Sequence, residues 1–260
     1  MKTYVLVGGA WIGAWAWAEV TRRLRSRGHD VHPVTLTGLG EREHLGGPDV
    51  NLDVHITDVV KVIDYEDLHD VVLVGHSYAG IVVEGVGDRR SDRITTVVYV
   101  DTAPLGDGAA SVDFYPPDAR TALEAVVREQ GDGWRLPFPG IEQLGQQASL
   151  AGLDDAALRL LSTRATSHPF GTYTQPLRLT GSEVSYRRRA IVCSDGGFTV
   201  AQIRAALASD DPGMFVVYAG PGWEFDELHT GHWPMLSMPE ELAEVPARYG
   251  HMAAGLAERA

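Results

Sequence analysis

The sequence predicts an α/β fold: a mostly parallel central sheet with helices on both faces, and a helical cap inserted into it. Two patterns predict the sheet and its helices, and a break in those patterns predicts the cap. Short β-branched runs recur at Tyr4 to Val7, Val31 to Leu36, Val71 to Val74, Val97 to Val100, Ile191 to Cys193 and Met214 to Tyr218. Apart from His32 and Thr35 in the second run they are apolar throughout, and strands without polar alternation are buried on both faces, as in a parallel sheet covered by helices. Helical patterns separate the runs, as right-handed crossover connections require. The alternation then stops between about Ala103 and Tyr186. A stretch that long without strands is normally a functional lid or an inserted subdomain.

Each element has a local reason. Between the first two runs, Trp15, Ala18, Val20 and Leu24 supply an apolar helical face that Gly28 ends. A second helix, over Asp53 to Tyr65, precedes the third run. Within the break, Pro116-Pro117, Pro137 and Pro139 punctuate two helical stretches, Thr121 to Gln130 and Asp154 to Thr163. Residues 1–102 and 187–260 are therefore expected to form the core, and 103–186 the cap. Aromatic residues of the cap, with Trp134 and Phe138 foremost, are expected to face a pocket together with Trp11 and Trp233.

Composition narrows the function classes. A net charge of −13, with Arg187-Arg188-Arg189 as the densest basic stretch, supplies no footprint for nucleic acid or an anionic membrane. No apolar run approaches the roughly 18 residues that span a bilayer. Cys193 is the only cysteine, so no intrachain disulfide forms, and a cytoplasmic setting is expected. The expected partner is a small-molecule substrate, and a homodimer through the cap is also left open. Neither a zinc-ligand spacing nor a dinucleotide fingerprint is present, because Ala10 stands where the second glycine after Gly8 would be needed. No cofactor and no metal are expected.

Chemistry concentrates in three places. Gly75-His76-Ser77-Tyr78-Ala79-Gly80 holds Gly-x-Ser-x-Gly between an apolar strand and a helical stretch, the setting in which a sharp turn presents a serine nucleophile. Gly8-Gly9-Ala10 follows the first strand, and its Ala10 amide with that of Tyr78 is placed to bind an oxyanion. His232, after the last strand, is the expected base, because a near-neutral imidazole suits proton transfer from serine. His229 is its nearest rival, and His76 is expected to point away from the substrate side. The carboxylate that fixes the imidazole's tautomer is expected to be Asp195, with Asp101 as the alternative. Both end strands, and Asp195 completes the chain order Ser, Asp, His that accompanies this motif.

Val7-Gly8-Gly9-Ala10-Trp11-Ile12-Gly13-Ala14-Trp15, Leu36 to Arg42, Val72 to Gly80, and Thr230-Gly231-His232 with Pro239-Glu240 together resemble the α/β-hydrolase superfamily along the whole chain. Within it they resemble the branch of esterases and hydroxynitrile lyases that includes plant methyl-ester esterases. His168-Pro169-Phe170 and Gln175-Pro176-Leu177 are similar to the bacterial members. The resemblance implies a cofactor-free serine hydrolase acting on an ester or lactone of a small hydrophobic molecule. The branch usually has His-Gly where Gly8-Gly9 stand, and a second histidine where Ile12 stands. Its plant members place the acid-loop Asp one residue later than Asp195. Hydroxynitrile lyases carry a lysine where Trp233 stands, which disfavours cyanohydrin cleavage. Lyase, cyclase or acyl-transfer chemistry on the same fold, and a non-catalytic receptor, are the alternatives.

Overall fold

A computed structural model describes residues 1–181, 184–220 and 222–245. Six strands form its parallel central sheet: β1 (Thr3–Val7), β2 (Asp30–Val34), β3 (Val71–His76), β4 (Ile94–Val100), and, after a two-stranded ribbon of β5 (Arg135–Leu136) and β6 (His168–Pro169), β7 (Arg187–Cys193) and β8 (Trp223–Leu228). The sheet order is β2-β1-β3-β4-β7-β8. The four inner strands are the apolar runs, since a strand with neighbours on both edges and helices on both faces sheds water from every side chain.

The pleat divides those side chains between two cores. Val5, Val7, Leu73, Val97 and Tyr99 face one cluster, where α2 (Leu52–Tyr65) and α3 (Ala79–Arg89) pack, while α1 (Ala18–Ser26) covers Tyr4, Leu6, Val72, Val74, Val98 and Val100 on the other. Asn51 caps α2 by accepting from the Val54 amide at 3.2 Å. Between β4 and β7 lie α4 (Pro117–Gln130), α5 (Ile141–Gln147), α6 (Asp155–Arg164) and α7 (Gly171–Thr174), together with the β5–β6 ribbon. Val127, Leu136, Phe170 and Tyr173 from this segment join the cluster that contains β1 and β3. α8 (Val200–Leu207) lies between β7 and β8, and α9 (Pro234–Ser237) and α10 (Pro239–Glu244) follow β8. Among the described residues no helix is long and apolar enough to cross a membrane.

The outer strands depart from the expectation. Met214 to Tyr218 is not a strand; it is a 3₁₀ turn, Gly213–Tyr218, and the sixth strand is Trp223–Leu228. An edge strand pairs with one neighbour, so its residues are only partly buried and its sequence, Trp-Glu-Phe-Asp-Glu-Leu, alternates as a half-covered strand does. The fully apolar run is instead spent on the wall of a cavity. At the opposite edge, β2 tolerates Pro33, which removes an N–H that an inner strand would need.

Candidate active site

β3 ends in a turn whose geometry depends on two glycines. A side-chain carbon on Gly75 would lie 2.7 Å from Val83 and 2.8 Å from the Ala79 carbonyl, and one on Gly80 would lie 2.6 Å from Thr102. Only hydrogen fits at either position, so α3 closes directly onto the strand and Ser77 is left at the apex with φ of 52°. Trp11 at 63° and Asp101 at 47° share this left-handed conformation. Such a conformation costs a non-glycine residue of order 1–3 kcal/mol, and its clustering here marks a place where backbone strain is held for a purpose.

Ser77 Oγ lies 2.8 Å from His232 Nε2, and the other ring nitrogen, Nδ1, lies 2.5 Å from Asp101 Oδ2. The loop carrying His232 is tied down at both ends of the peptide: the Gly231 amide donates to Ala151 and the His232 amide to Ser149. His76 is buried, donates from Nε2 to the His232 carbonyl at 2.6 Å and packs its ring 4.7 Å from that of His232. Burial, and then proximity to His232, push the His76 imidazole down to about 3, so it stays a neutral donor. His229 is exposed and bonds Ser194, well removed from the serine.

The carboxylate beside His232 is Asp101, not Asp195, which corrects the expectation from sequence. Asp101 follows β4, the strand adjacent to β3, and its second oxygen accepts the Cys193 amide at 3.1 Å. Burial alone would raise its carboxyl, but the His232 hydrogen bond and charge, with the Cys193 N–H, hold it below the ordinary carboxylate range. Asp195 uses its backbone instead, donating to Thr230 and accepting from Ser149 Oγ, and its carboxylate faces solvent. The loop after β7 is thus a strut for the histidine loop.

Gly9 presses against the nucleophile turn so closely that a side-chain carbon there would lie 2.9 Å from Ser77 Cβ. That contact brings the Gly8-Gly9-Ala10 loop beside Ser77, as expected, and places Ala10 and Tyr78 on the wall of the same cavity as Ser77. The cavity measures about 770 Å³ and is lined by apolar side chains from three sources: the segment between β4 and β7, the Met214 to Tyr218 turn, and the loop at Phe198. Trp11 and Trp233 belong to its wall. Trp134 and Phe138 do not: Trp134 packs on Gly46 and under Arg135, and Phe138 meets the edge of Trp11 at 6.1 Å from outside. They join the segment between β4 and β7 to the loops after β1 and β2. What sequence reasoning missed is the Met214 to Tyr218 turn, whose exposed Met214 and Val216 flank the opening. Its only signal was the unusual pairing of an apolar run with Pro212-Gly213 before it and Gly220 after it. Among the described residues no group of three or more His, Cys, Asp or Glu is arranged to hold a metal ion.

Residues 4–245 match the alpha/beta hydrolase family. The chain belongs to that family. A carbendazim-hydrolysing esterase from Nocardioides sp. (strain SG-4G) is 33% identical over 96% of this chain and 100% of its own length. A pyrethroid hydrolase from Sphingobium wenxiniae is 25% identical over 94% of this chain and 86% of its own. Among solved structures, an extracellular α/β-hydrolase of a Paenibacillus species, described as sharing structural and functional homology with tobacco salicylic acid binding protein 2, superposes with a TM-score of 0.76. It covers 96% of this chain and 100% of that one at 21% identity, which speaks to fold. With named esterases and hydrolases as its relatives, this α/β hydrolase is an esterase-type enzyme.

Proposed function

We propose that this α/β hydrolase cleaves a carboxylic ester or lactone of a neutral, bulky hydrophobic molecule through Ser77, His232 and Asp101. The single observation that carries the reading is the relay from Asp101 through both ring nitrogens of His232 to Ser77 Oγ, at 2.5 and 2.8 Å. His232 Nε2 takes the Oγ proton as Oγ bonds to the substrate's carbonyl carbon. Asp101 holds the proton on Nδ1, keeps Nε2 facing the serine, and stabilises the imidazolium. Negative charge gathers on the carbonyl oxygen, where the amides of Ala10 and Tyr78 are placed to receive it. As the C–O bond to the leaving group breaks, the imidazolium returns its proton to that oxygen. Water, deprotonated by His232, then releases the acid from the acyl-enzyme.

Substrate class follows from the cavity. Its volume of about 770 Å³ suits a drug-sized molecule, and among the described residues Asp101 is the one carboxylate on its wall. A charged acid or amine would lose its hydration there without a partner, so an uncharged ester is favoured. The relatives named for carbendazim and pyrethroid hydrolysis support this class. A cytoplasmic setting accords with a buried, unpaired Cys193.

The test combines a fluorophosphonate probe with an ester assay. Mass spectrometry should find the adduct on Ser77, and Ser77→Ala should lose both label and turnover of an aryl ester by several powers of ten. An unlabelled serine, or a Ser77→Ala protein with a tenth of the wild-type rate, overturns the reading.

A further inference from the structure

Packed against Tyr78 lies a second pair of histidines, neither of them on the cavity wall, that the proposed reaction does not use. His55 on α2 and His168 on β6 are both fully buried, with ring centroids 5.7 Å apart. Tyr78 lies 5.8 Å from His55 and 4.6 Å from His168, and Tyr173 stacks on its far side. Buried imidazoles need an account, since each must satisfy two ring nitrogens away from water.

Each ring has one possible tautomer. His55 Nε2 faces the Thr37 carbonyl at 2.8 Å and so carries the hydrogen, which leaves Nδ1 to accept from the Tyr78 hydroxyl at 2.9 Å. His168 Nδ1 faces the Trp11 amide at 3.3 Å and so accepts. Its Nε2 donates to Thr172 Oγ1 at 2.8 Å, whose own hydrogen goes to the Pro169 carbonyl. The two rings therefore end on the two residues that bear on an oxyanion: Tyr78 itself, and Trp11, the neighbour of Ala10. Trp11 has two further ties to the same segment of the cap. Its carbonyl accepts the Thr166 amide at 3.0 Å, and its indole donates to the Leu136 carbonyl at 3.2 Å. The left-handed φ of 63° at Trp11 is thus held from outside by the cap ribbon, while Gly9, two residues earlier, is packed on Ser77.

We propose that His168 and His55 are positioning residues for the oxyanion hole, fixing the backbone at Ala10-Trp11 and the side chain of Tyr78 so that both amides stay aimed at the carbonyl oxygen of the ester that Ser77 attacks. The inference rests on the hydrolase reading above. Burial holds both rings neutral, pushing His55 down to about 4 and His168 well below its ordinary value, as a ring that must accept from an N–H or O–H requires. A donor aimed at an oxyanion acts in the transition state and not on the bound ester, so misaiming it should lower kcat and spare KM.

The experiment compares His168→Asn with His168→Gln. An Asn oxygen sits where Nδ1 accepts from Trp11, whereas a Gln amide reaches toward Thr172 and leaves the Trp11 amide unpaired. With an aryl ester as substrate, His168→Gln should lose about 30- to 100-fold in kcat, somewhat less than the roughly 10²- to 10³-fold cost of deleting an oxyanion donor outright, with KM within about twofold. Inhibition by an aryl trifluoromethyl ketone, which forms a tetrahedral oxyanion on serine, should weaken in parallel, and His168→Asn should recover most of both. Tyr78→Phe keeps the stacked ring, frees His55 Nδ1, and should lose several-fold in kcat; it carries the test should His168→Gln fail to fold. Equal losses in the Asn and Gln variants, or full kcat in His168→Gln and Tyr78→Phe, overturn the inference while Ser77→Ala stays dead and the hydrolase reading stands. Turnover surviving in Ser77→Ala overturns the reading, and the inference with it.

Discussion

The two sides of the Ser77 turn use the same residue types for opposite ends. On the cavity side, Asp101 and His232 are partly exposed and joined to the serine in a line that leaves Nε2 one proton to move. Packed against Tyr78, His55 and His168 are fully buried, and every ring nitrogen already has its partner. A histidine that must change its protonation needs access to a charge partner and to a reacting atom. One that must never change it is best kept dry, where the charged form is penalised. Motif and chain order separate His232 from the buried pair, but burial decides what each of them does.

The largest expected effect breaks the front side alone. Asp101→Asn keeps the size of the side chain but offers His232 Nδ1 an amide, which stabilises the wrong tautomer and no longer offsets the imidazolium. By analogy with the serine-protease triad, kcat should fall by about 10⁴. Aryl-ester kinetics on this variant, with its melting temperature as a control for folding, measure that loss. A fall of tenfold or less would mean that His232 works without its carboxylate.

The buried histidines should reveal themselves in stability. His55, His76 and His168 all have folded pKa values below the ordinary 6.5, reaching about 4 in His55 and about 3 in His76. As pH falls below 6.5 the unfolded chain takes up these protons before the folded one does. The contribution is therefore complete above pH 6.5 and is lost as pH falls toward 4 and 3, at up to about 1.4 kcal/mol per pH unit for each ring. Glu84, whose carboxyl is raised chiefly by burial, works in the opposite sense. Urea midpoints at pH 7, 6, 5.5 and 5 should fall steadily. A flat series would show that the three rings titrate as in the unfolded chain.

Much of this molecule is legible in its sequence because its inner strands, β1, β3, β4 and β7, are buried on both sides and carry no other duty. Ser77 was legible for a related reason: a turn that admits only hydrogen at Gly75 and Gly80 must spell its glycines out. The Met214 to Tyr218 run was misread as a strand because apolar periodicity registers removal from water, and a cavity wall satisfies that as well as a sheet does. Which carboxylate lies beside His232 was not legible, because Asp101 and Asp195 both follow strands at the same edge of the sheet, and which loop folds over the histidine depends on contacts distant in sequence. Cys193 and Ile191 fix Asp101, while Ser149 and Thr230 engage the backbone of Asp195.

A smaller effect tests the misread turn. Val216 is 56% exposed at the opening, so replacing it costs the fold little, yet Val216→Asp sets a charge where an apolar ester would rest. KM for a bulky aryl ester should rise about tenfold, matching some 1.4 kcal/mol of lost contact and added desolvation, with kcat unchanged. A short acetyl ester should feel less of it. If kcat falls instead, the turn acts on the reacting groups and is more than a wall.

The smallest effect is the most discriminating. Asp195 and Asp101 stand at equivalent strand ends, and Asn in place of either keeps shape and removes charge. At Asp195 the carboxylate is solvated, and the groups that hold the histidine loop are its amide and carbonyl, both of which Asn retains. A solvated charge at that distance from the imidazolium is also screened by water, so its removal should change the barrier little. The kcat of Asp195→Asn should therefore stay within about twofold of wild type, a difference of about 0.4 kcal/mol in the barrier. Measured beside Asp101→Asn, this near-silence locates the charge that His232 requires at the end of β4. A loss approaching 10⁴ in Asp195→Asn would reverse the assignment, since it would mean that during turnover the loop after β7 moves onto the histidine and displaces the carboxylate that now holds it.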